Sequence, residues 1–322
     1  MKRFKNILLA INSNAKPDPA FNRAVTLATH NQAKLTVIEV LEDFANFHHL
    51  LSRIHTNEIM KNVVQERTMV LEEMTASVGQ EIEVEIKVVC GKTFLEIIRA
   101  VLQNQHDLVI KTAEENYNLK TMIFGSMDMH LLRKCPCPVW IIKPEDGRKY
   151  LRILAAVDIQ PSPDDSKMDS LNDQISEISM SLAFSELSEL FIVHAWLVFG
   201  ESIARSSWSK YQRDEVVSWI AAQKEDIKER QKQFKEKIDQ LLGEKGKDYL
   251  RPEICLVEGD ATEVIPQVAE EKKADLVIMG TVGRTGLPGF FMGNTAESIL
   301  SRLNCSVLAI KPEGFISTVT LA

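Results

Sequence analysis

The sequence predicts an α/β protein of two tandem domains, each a five-stranded parallel sheet with helices on both faces. Three observations carry this expectation. Apolar, β-branched runs alternate with helical stretches along the whole chain, the pattern of a doubly wound sheet. Runs such as "FIVHAW" (191–196) and "DLVIMG" (275–280) are apolar at nearly every position, as strands covered on both faces are. The chain also repeats itself. Residues 107–144 set against 275–312, a shift of 168 without a gap, agree at 12 of 38 positions. Composition alone gives about two or three matches.

In the first unit the strand-like runs lie at 5–12, 34–40, 82–89, 107–112 and 138–143, with helical stretches near 19–30, 50–77, 93–105 and 126–134. The opening "MKRFKNILLAINSNAKPD" places basic residues before apolar ones, as a signal peptide does. Its apolar stretch is only Ile7 to Ile11 and no small-residue cleavage site follows, so it reads as the first strand. The second unit has strand-like runs near 151–158, 189–196, 252–258, 274–280 and 306–311. "NILLAIN" (6–12) pairs with "RILAAVD" (152–158), and Val89 and Gly91 match Val257 and Gly259. Between the second unit's strands, 208–242 reads as one amphipathic helix through Trp208, Val217, Ile220, Ile227, Phe234, Ile238 and Leu241. Turn formers and charge in "PEDGRK" (144–149) mark the junction, giving expected domains of 1–147 and 148–322. Duplicated units are expected to pack about a pseudo-twofold axis with their last strands, "PVWIIK" and "SVLAIK", at the seam.

Composition narrows the function classes. Apolar content of 45% and charged content of 26% are those of a soluble globular chain. A formal net charge of −7 argues against nucleic acid or an anionic membrane surface as the main partner. No apolar run reaches the roughly 18 residues of a membrane span, so no membrane insertion is expected. Five cysteines, an odd number, indicate no disulfide framework. Cys135 and Cys137 in "CPCP" lack a second ligand pair, and His48, His49 and His55 lack metal-ligand spacing; no metal site is expected.

The segment "GTVGRTGLPGFFMGNTAE" (280–297) raises the functional question. It places five glycines directly after a strand-like run and before a helical stretch, where Asn294 and Glu297 have capping-box spacing. In open parallel sheets ligands bind beyond the carboxyl ends of strands. Bare backbone and the unpaired N–H groups of a helix N-terminus suit a phosphate. Gly280, Gly283 and Gly293 open the backbone, and Arg284 adds a bidentate fork. Two better-known phosphate loops are excluded. The "GKT" at 91–93 has Ile86 where a Walker A loop needs its leading glycine, and the first βα turns lack G-x-G-x-x-G. No His and Ser spacing announces a catalytic triad.

Gly280-x2-Gly283-x9-Gly293, followed by Asn294 and Thr295, resembles the ATP-binding pattern G-x2-G-x9-G-[ST] of the universal stress proteins. Asn294 stands where that family has a small hydroxyl residue. "DMHLLRKCPCPVWIIK" and the duplication resemble the family's tandem-domain E type, over nearly the whole chain. The resemblance implies Rossmann-like domains of the adenine nucleotide alpha hydrolase type, ATP with Mg as ligand, a cytoplasmic location and a role in bacterial stress response. It implies that Asp158 and Ala195 lie by the adenosine, and that Met279, Gly280, Gly283, Arg284, Gly293, Asn294 and Thr295 line the nucleotide site. It also implies intrachain domain pairing and leaves room for a homodimer. Two other readings stay open: a weak ATPase, for which no residue is an evident base, and a scaffold for other ligands.

The first half differs at these positions. Under the 168 shift Gly280 becomes Thr112, Gly283 becomes Glu115 and Arg284 becomes Asn116, while Gly293 survives as Gly125 before Ser126; Asn12 stands for Asp158. Glu114 and Glu115 place like charge where polyphosphate would lie, so the first half is expected to be a degenerate nucleotide site.

Overall fold

The computed structural model describes residues 4–12, 19–42, 53–78, 81–114, 124–144, 149–160, 165–198, 213–282 and 292–321. The first half runs β1 (Asn6–Ile11), α1 (Pro19–Asn31), β2 (Lys34–Leu41), α2 (Arg53–Thr75), β3 (Val84–Cys90), α3 (Thr93–Asn104), β4 (Leu108–Thr112), α4 (Ser126–Lys134) and β5 (Val139–Ile142). The second runs β6 (Arg152–Ala156), α5 (Asp165–Glu186), β7 (Glu189–Trp196), α6 (Arg213–Lys247), β8 (Glu253–Glu258), α7 (Ala261–Glu271), β9 (Leu276–Gly280), α8 (Asn294–Leu300) and β10 (Ser306–Ile310). Each strand overlaps a run read from the sequence.

Within each half all five strands are parallel, in the order β3-β2-β1-β4-β5 and its repeat β8-β7-β6-β9-β10. The halves join through β5 and β10, which pair antiparallel to make one ten-stranded sheet. The register places Trp140 opposite Leu308, with Val139 opposite Ala309 and Ile141 opposite Val307. Residues 140 and 308 differ by 168, so each faces its own duplicate. A pseudo-twofold axis therefore passes between them.

Strand side chains alternate between two cores, one on each face. One core takes Leu8, Val139 and Val307 against α3, α4, α7 and α8; the other takes Ile7, Trp140 and Leu308 against α1, α2, α5 and α6. That two-sided burial explains why the strands read as continuous apolar runs. In α6 the buried stripe is Val216, Ile220, Ile227, Phe234 and Ile238. Val217 and Leu241, expected on that stripe, are exposed, and Trp208 lies outside the described residues. The stripe turns away before Leu241, and Gly243 (φ 61°, ψ 172°) breaks the helix just beyond it.

Each face of the seam carries an arginine–glutamate pair between the halves: Arg23 of α1 with Glu186 of α5, and Arg133 of α4 with Glu297 of α8. Arg23 also stacks over Tyr150, 4.4 Å from the ring centre, and Glu186 accepts the Tyr150 N–H at 2.7 Å. The guanidinium is thus fixed by charge and by the aromatic face.

His106 is buried between β4 and α3. Its Nδ1 lies 3.1 Å from the Ala100 carbonyl, which only accepts, so Nδ1 carries the hydrogen; Nε2 lies 3.0 Å from Thr36 Oγ1 and accepts from it. Burial pushes this imidazole down to about 4, with Lys87 acting in the same sense. The unfolded chain then takes a proton that the folded chain refuses, and stability falls as pH drops from 6.5 towards 4. Urea unfolding at about pH 7.5 and about pH 5 should show the wild type losing on the order of 1–2 kcal/mol more than His106→Ala. Equal losses would rule out this proton linkage.

Candidate functional site

The carboxyl ends of β6 and β9 open into a cleft of ≈ 600 Å³, within the usual range for a small-molecule site. Its floor and walls are apolar: Met279 from β9, Leu171 and Ile175 from α5, Ile265 from α7 and Ile299 from α8. Polar groups gather at one rim. Asp158 follows β6, and Asn172 of α5 holds its backbone on both sides, accepting the Asp158 N–H at 2.9 Å and donating to its carbonyl at 2.8 Å. Two hydrogen bonds from one buried amide fix where the Asp158 carboxylate starts. Its Oδ1 accepts the Gln160 N–H at 3.4 Å.

On the opposite side Gly293 is the N-cap of α8, in extended backbone (φ −65°, ψ 144°). Its N–H donates to the Thr281 carbonyl at 3.0 Å, closing the base of the glycine-rich segment, and its carbonyl accepts the Glu297 N–H at 3.0 Å. Asn294 was expected to cap this helix; instead it is the first helical residue, and no side chain caps the start. The reason is the Gly293–Thr281 bond, which holds Gly293 in the extended conformation a cap needs. A glycine cap carries no oxygen, so the first-turn N–H groups near Asn294 and Thr295 keep their donors for something else.

Seven expected site residues thus line one cleft: Asp158, Ala195, Met279, Gly280, Gly293, Asn294 and Thr295. Gly283 and Arg284 lie outside the described residues. Gly280 has a packing role as well as an open backbone, because a Cβ there would lie 2.8 Å from Leu171 Cδ2. The start of α7, Gly259-Asp260-Ala261, also lines the cleft and was not anticipated. Gly259 has φ +156°, and a Cβ on it would meet Val264 at 2.6 Å, which favours glycine. Asp260 caps α7, accepting from Thr262 Oγ1 at 2.6 Å and Thr262 N at 2.8 Å, and these bonds hold its carboxyl below the usual range. The recurrence of Gly91 at Gly259 was the one sequence signal for this side. Among the described residues no three His, Cys, Asp or Glu side chains gather to hold a metal.

The matching region of the first half is filled by its own side chains. Lys111 and Asp128 stand where the second half has Met279 and Ala296, and they form a buried ion pair at 2.9 Å. Lys111 also donates to the Thr112 carbonyl at 2.7 Å, and Asp128 Oδ2 accepts the N–H groups of Glu114 (2.9 Å) and Gly125 (3.3 Å). The Glu114 side chain lies in the space a Cβ on Gly125 would need. It accepts the Met127 N–H in the first turn of α4, and burial, then the nearby Asp128 charge, pushes its carboxyl up. The chain's own carboxylates therefore sit where the second half leaves its helix start open.

Residues 3–143 and again 149–311 match the universal stress protein family. The chain belongs to that family. It is a tandem universal stress protein of the E type. It is 33% identical over 332 residues to universal stress protein E of Salmonella typhi, covering 100% of this chain and 98% of that one. Identity to universal stress protein E of Escherichia coli (strain K12) is 31% over 327 residues, with the same coverage. The universal stress protein E homolog of Haemophilus influenzae is 30% identical over 323 residues, covering 96% and 98%. Among solved structures, a functionally unknown protein from Pseudomonas aeruginosa shares the fold at 24% identity and TM-score 0.67, covering 97% and 94%. A universal stress protein from Archaeoglobus fulgidus does so at 17% and 0.60, covering 95% and 98%. No helix among the described residues is long and apolar enough to cross a membrane.

The buried pair in the first half yields a specific expectation. Lys111→Met alone leaves the Asp128 charge buried without its partner and should cost about 3–5 kcal/mol in urea unfolding. Lys111→Met with Asp128→Ala, the residues the second half carries, should recover most of that loss. A double variant as unstable as the single one would mean that the pair is not coupled.

Proposed function

We propose that this universal stress protein binds ATP, with Mg, in the cleft of its second half, and acts in stress response as a nucleotide-dependent regulatory protein in the cytoplasm. The observation that carries this reading is that seven residues from four separate stretches of the chain, at 158, 195, 279–280 and 293–295, line one cleft of suitable size. The chemistry fits each part of the ligand. Apolar walls around Met279 and Ile299 suit a purine, Asp158 suits ribose hydroxyls, and the α8 start with the glycine-rich segment suits phosphates. Magnesium usually keeps several waters and binds through nucleotide phosphates with one or two carboxylates. Among the described residues Asp158 and Asp260 are the two carboxylates that line the cleft, and either would supply that contact.

The same comparison supports a stoichiometry of one. Among the described residues Lys111, Asp128 and Glu114 fill the matching region of the first half (1–147), which supports binding by the second (148–322) alone. No general base is evident, so turnover should fall far below the roughly 1–100 per second of kinases.

Isothermal titration of the full chain with Mg-ATP should give one site. Asp158→Ala should weaken binding at least about tenfold, as expected for losing hydrogen bonds to a charged group, and Gly283→Glu should abolish it. Two equivalent sites, or wild-type affinity in both variants, would defeat the assignment.

A further inference from the structure

The "CPCP" of residues 135–138 ends α4, and its prolines have a consequence for the second half. In a helix the carbonyl of residue i accepts from the N–H of residue i+4. Leu132 and Lys134 lie in the last turn, whose carbonyls have no partner within the helix, and the residues four places on, Pro136 and Pro138, have no N–H to offer. Both carbonyls are instead satisfied by the second half. Lys311 Nζ donates to Leu132 O at 2.5 Å, and Ser317 Oγ donates to Lys134 O at 2.7 Å. The equivalent positions after α8 are Asn304 and Ser306, so the proline pair occurs after α4 and not after α8.

Lys311 makes a second bond. It follows β10, is 4% exposed, and donates to Thr281 Oγ1 at 2.7 Å. Thr281 is fully buried, and its carbonyl accepts the Gly293 N–H that closes the glycine-rich segment. Beside Leu132, Arg133 pairs with Glu297 in the first turn of α8. Two neighbouring residues of α4 therefore reach both the base of the segment and the helix that follows it. Burial pushes the Lys311 amine down to about 8, against the opposing influence of the Cys135 and Cys137 thiols. Its charge is kept in the seam at a cost, which the carbonyl and hydroxyl acceptors offset.

We propose that Lys311 and Thr281 are positioning residues: the proline-capped end of α4, acting through them, holds the base of the glycine-rich segment in the conformation that binds the nucleotide. The first half then contributes to ligand binding without touching the ligand. This rests on the nucleotide reading above, but the tether itself can be tested without any nucleotide.

Thr281→Val removes the hydroxyl while keeping shape, and Thr281→Ser restores it; Lys311→Met removes the donor to both acceptors. In the full chain without nucleotide, hydrogen exchange at the Gly293 amide should speed up about three- to tenfold in Thr281→Val and return towards wild type in Thr281→Ser, the loss of one hydrogen bond. ATP affinity by titration should fall by a similar factor in Thr281→Val and recover in Thr281→Ser. Lys311→Met should do at least as much where it folds, and the Thr281 pair decides the question where it does not. Unchanged Gly293 exchange in Thr281→Val would overturn the tether. Faster exchange with unchanged ATP affinity would overturn its role in binding. A wild type that fails to bind ATP would overturn the nucleotide reading instead, while faster exchange in Thr281→Val would still uphold the tether.

Discussion

The antiparallel pairing of β5 with β10 is the constraint on which the rest of this structure depends. Both strands are fully buried and, apart from Ser306, apolar, so neither half could present its last strand to water without exposing a sticky edge. Pairing the two edges removes both hazards at once. Because Trp140 faces Leu308 in register, the pairing also fixes the pseudo-twofold axis and with it the placement of every helix. Parallel pairing of those two strands would not relate the halves by a twofold axis. The two Arg–Glu pairs then tie the halves together on opposite faces of the seam, Arg23–Glu186 buried and Arg133–Glu297 more exposed.

The two halves share one scaffold and differ in what their side chains place at the strand ends. The differences that matter for the cleft lie at the carboxyl ends of β4 and β9 and in the first turns of α4 and α8. Lys111 and Asp128 replace Met279 and Ala296 as a pair, which is the only way a charge could enter that space cheaply. Glu114, against Val282 in the second half, lays its carboxylate on the first turn of α4. A carboxylate there satisfies the same N–H groups that a phosphate would. The first half therefore resembles an occupied site whose occupant is part of the chain.

Much of this was legible in the sequence, and the reasons separate what was from what was not. The strands were legible because burial on both faces writes itself as apolar runs, and the seam because duplication makes two like edges. The cleft was legible because strand end, glycines and helix start are consecutive along the chain from Gly280 to Thr295. Features that need two distant segments to meet were not legible. Nothing in "LVIKT" announces that Lys111 would find Asp128, and Glu114 read only as repulsive charge before its bond to Met127 was visible. The α7 side of the cleft was missed because Gly259 and Asp260 are remote from the glycine-rich segment in sequence. The cap was misread for a similar reason: Asn294 has the right chemistry, but a long-range bond from Gly293 to Thr281 sets where the helix begins.

The prolines of "CPCP" join these strands of argument. Among the described residues no further metal-ligating group joins the segment's two cysteines, which are buried with their sulfurs 3.6 Å apart. Its effect is subtractive. Removing two N–H groups from the end of α4 leaves carbonyls that must be satisfied from elsewhere, and the residues that do so come from the half with the open cleft. Those donors, Lys311 and Ser317, follow β10, the strand whose pairing fixes the axis. These two bonds add to the sheet pairing, the arginine pairs and the Lys143 N–H to Ser306 Oγ bond that also join the halves. Through Lys311 they reach Thr281, at the base of the second half's glycine-rich segment. On the tether proposed above, the half whose matching region is filled by its own side chains becomes the support for the half whose cleft is open.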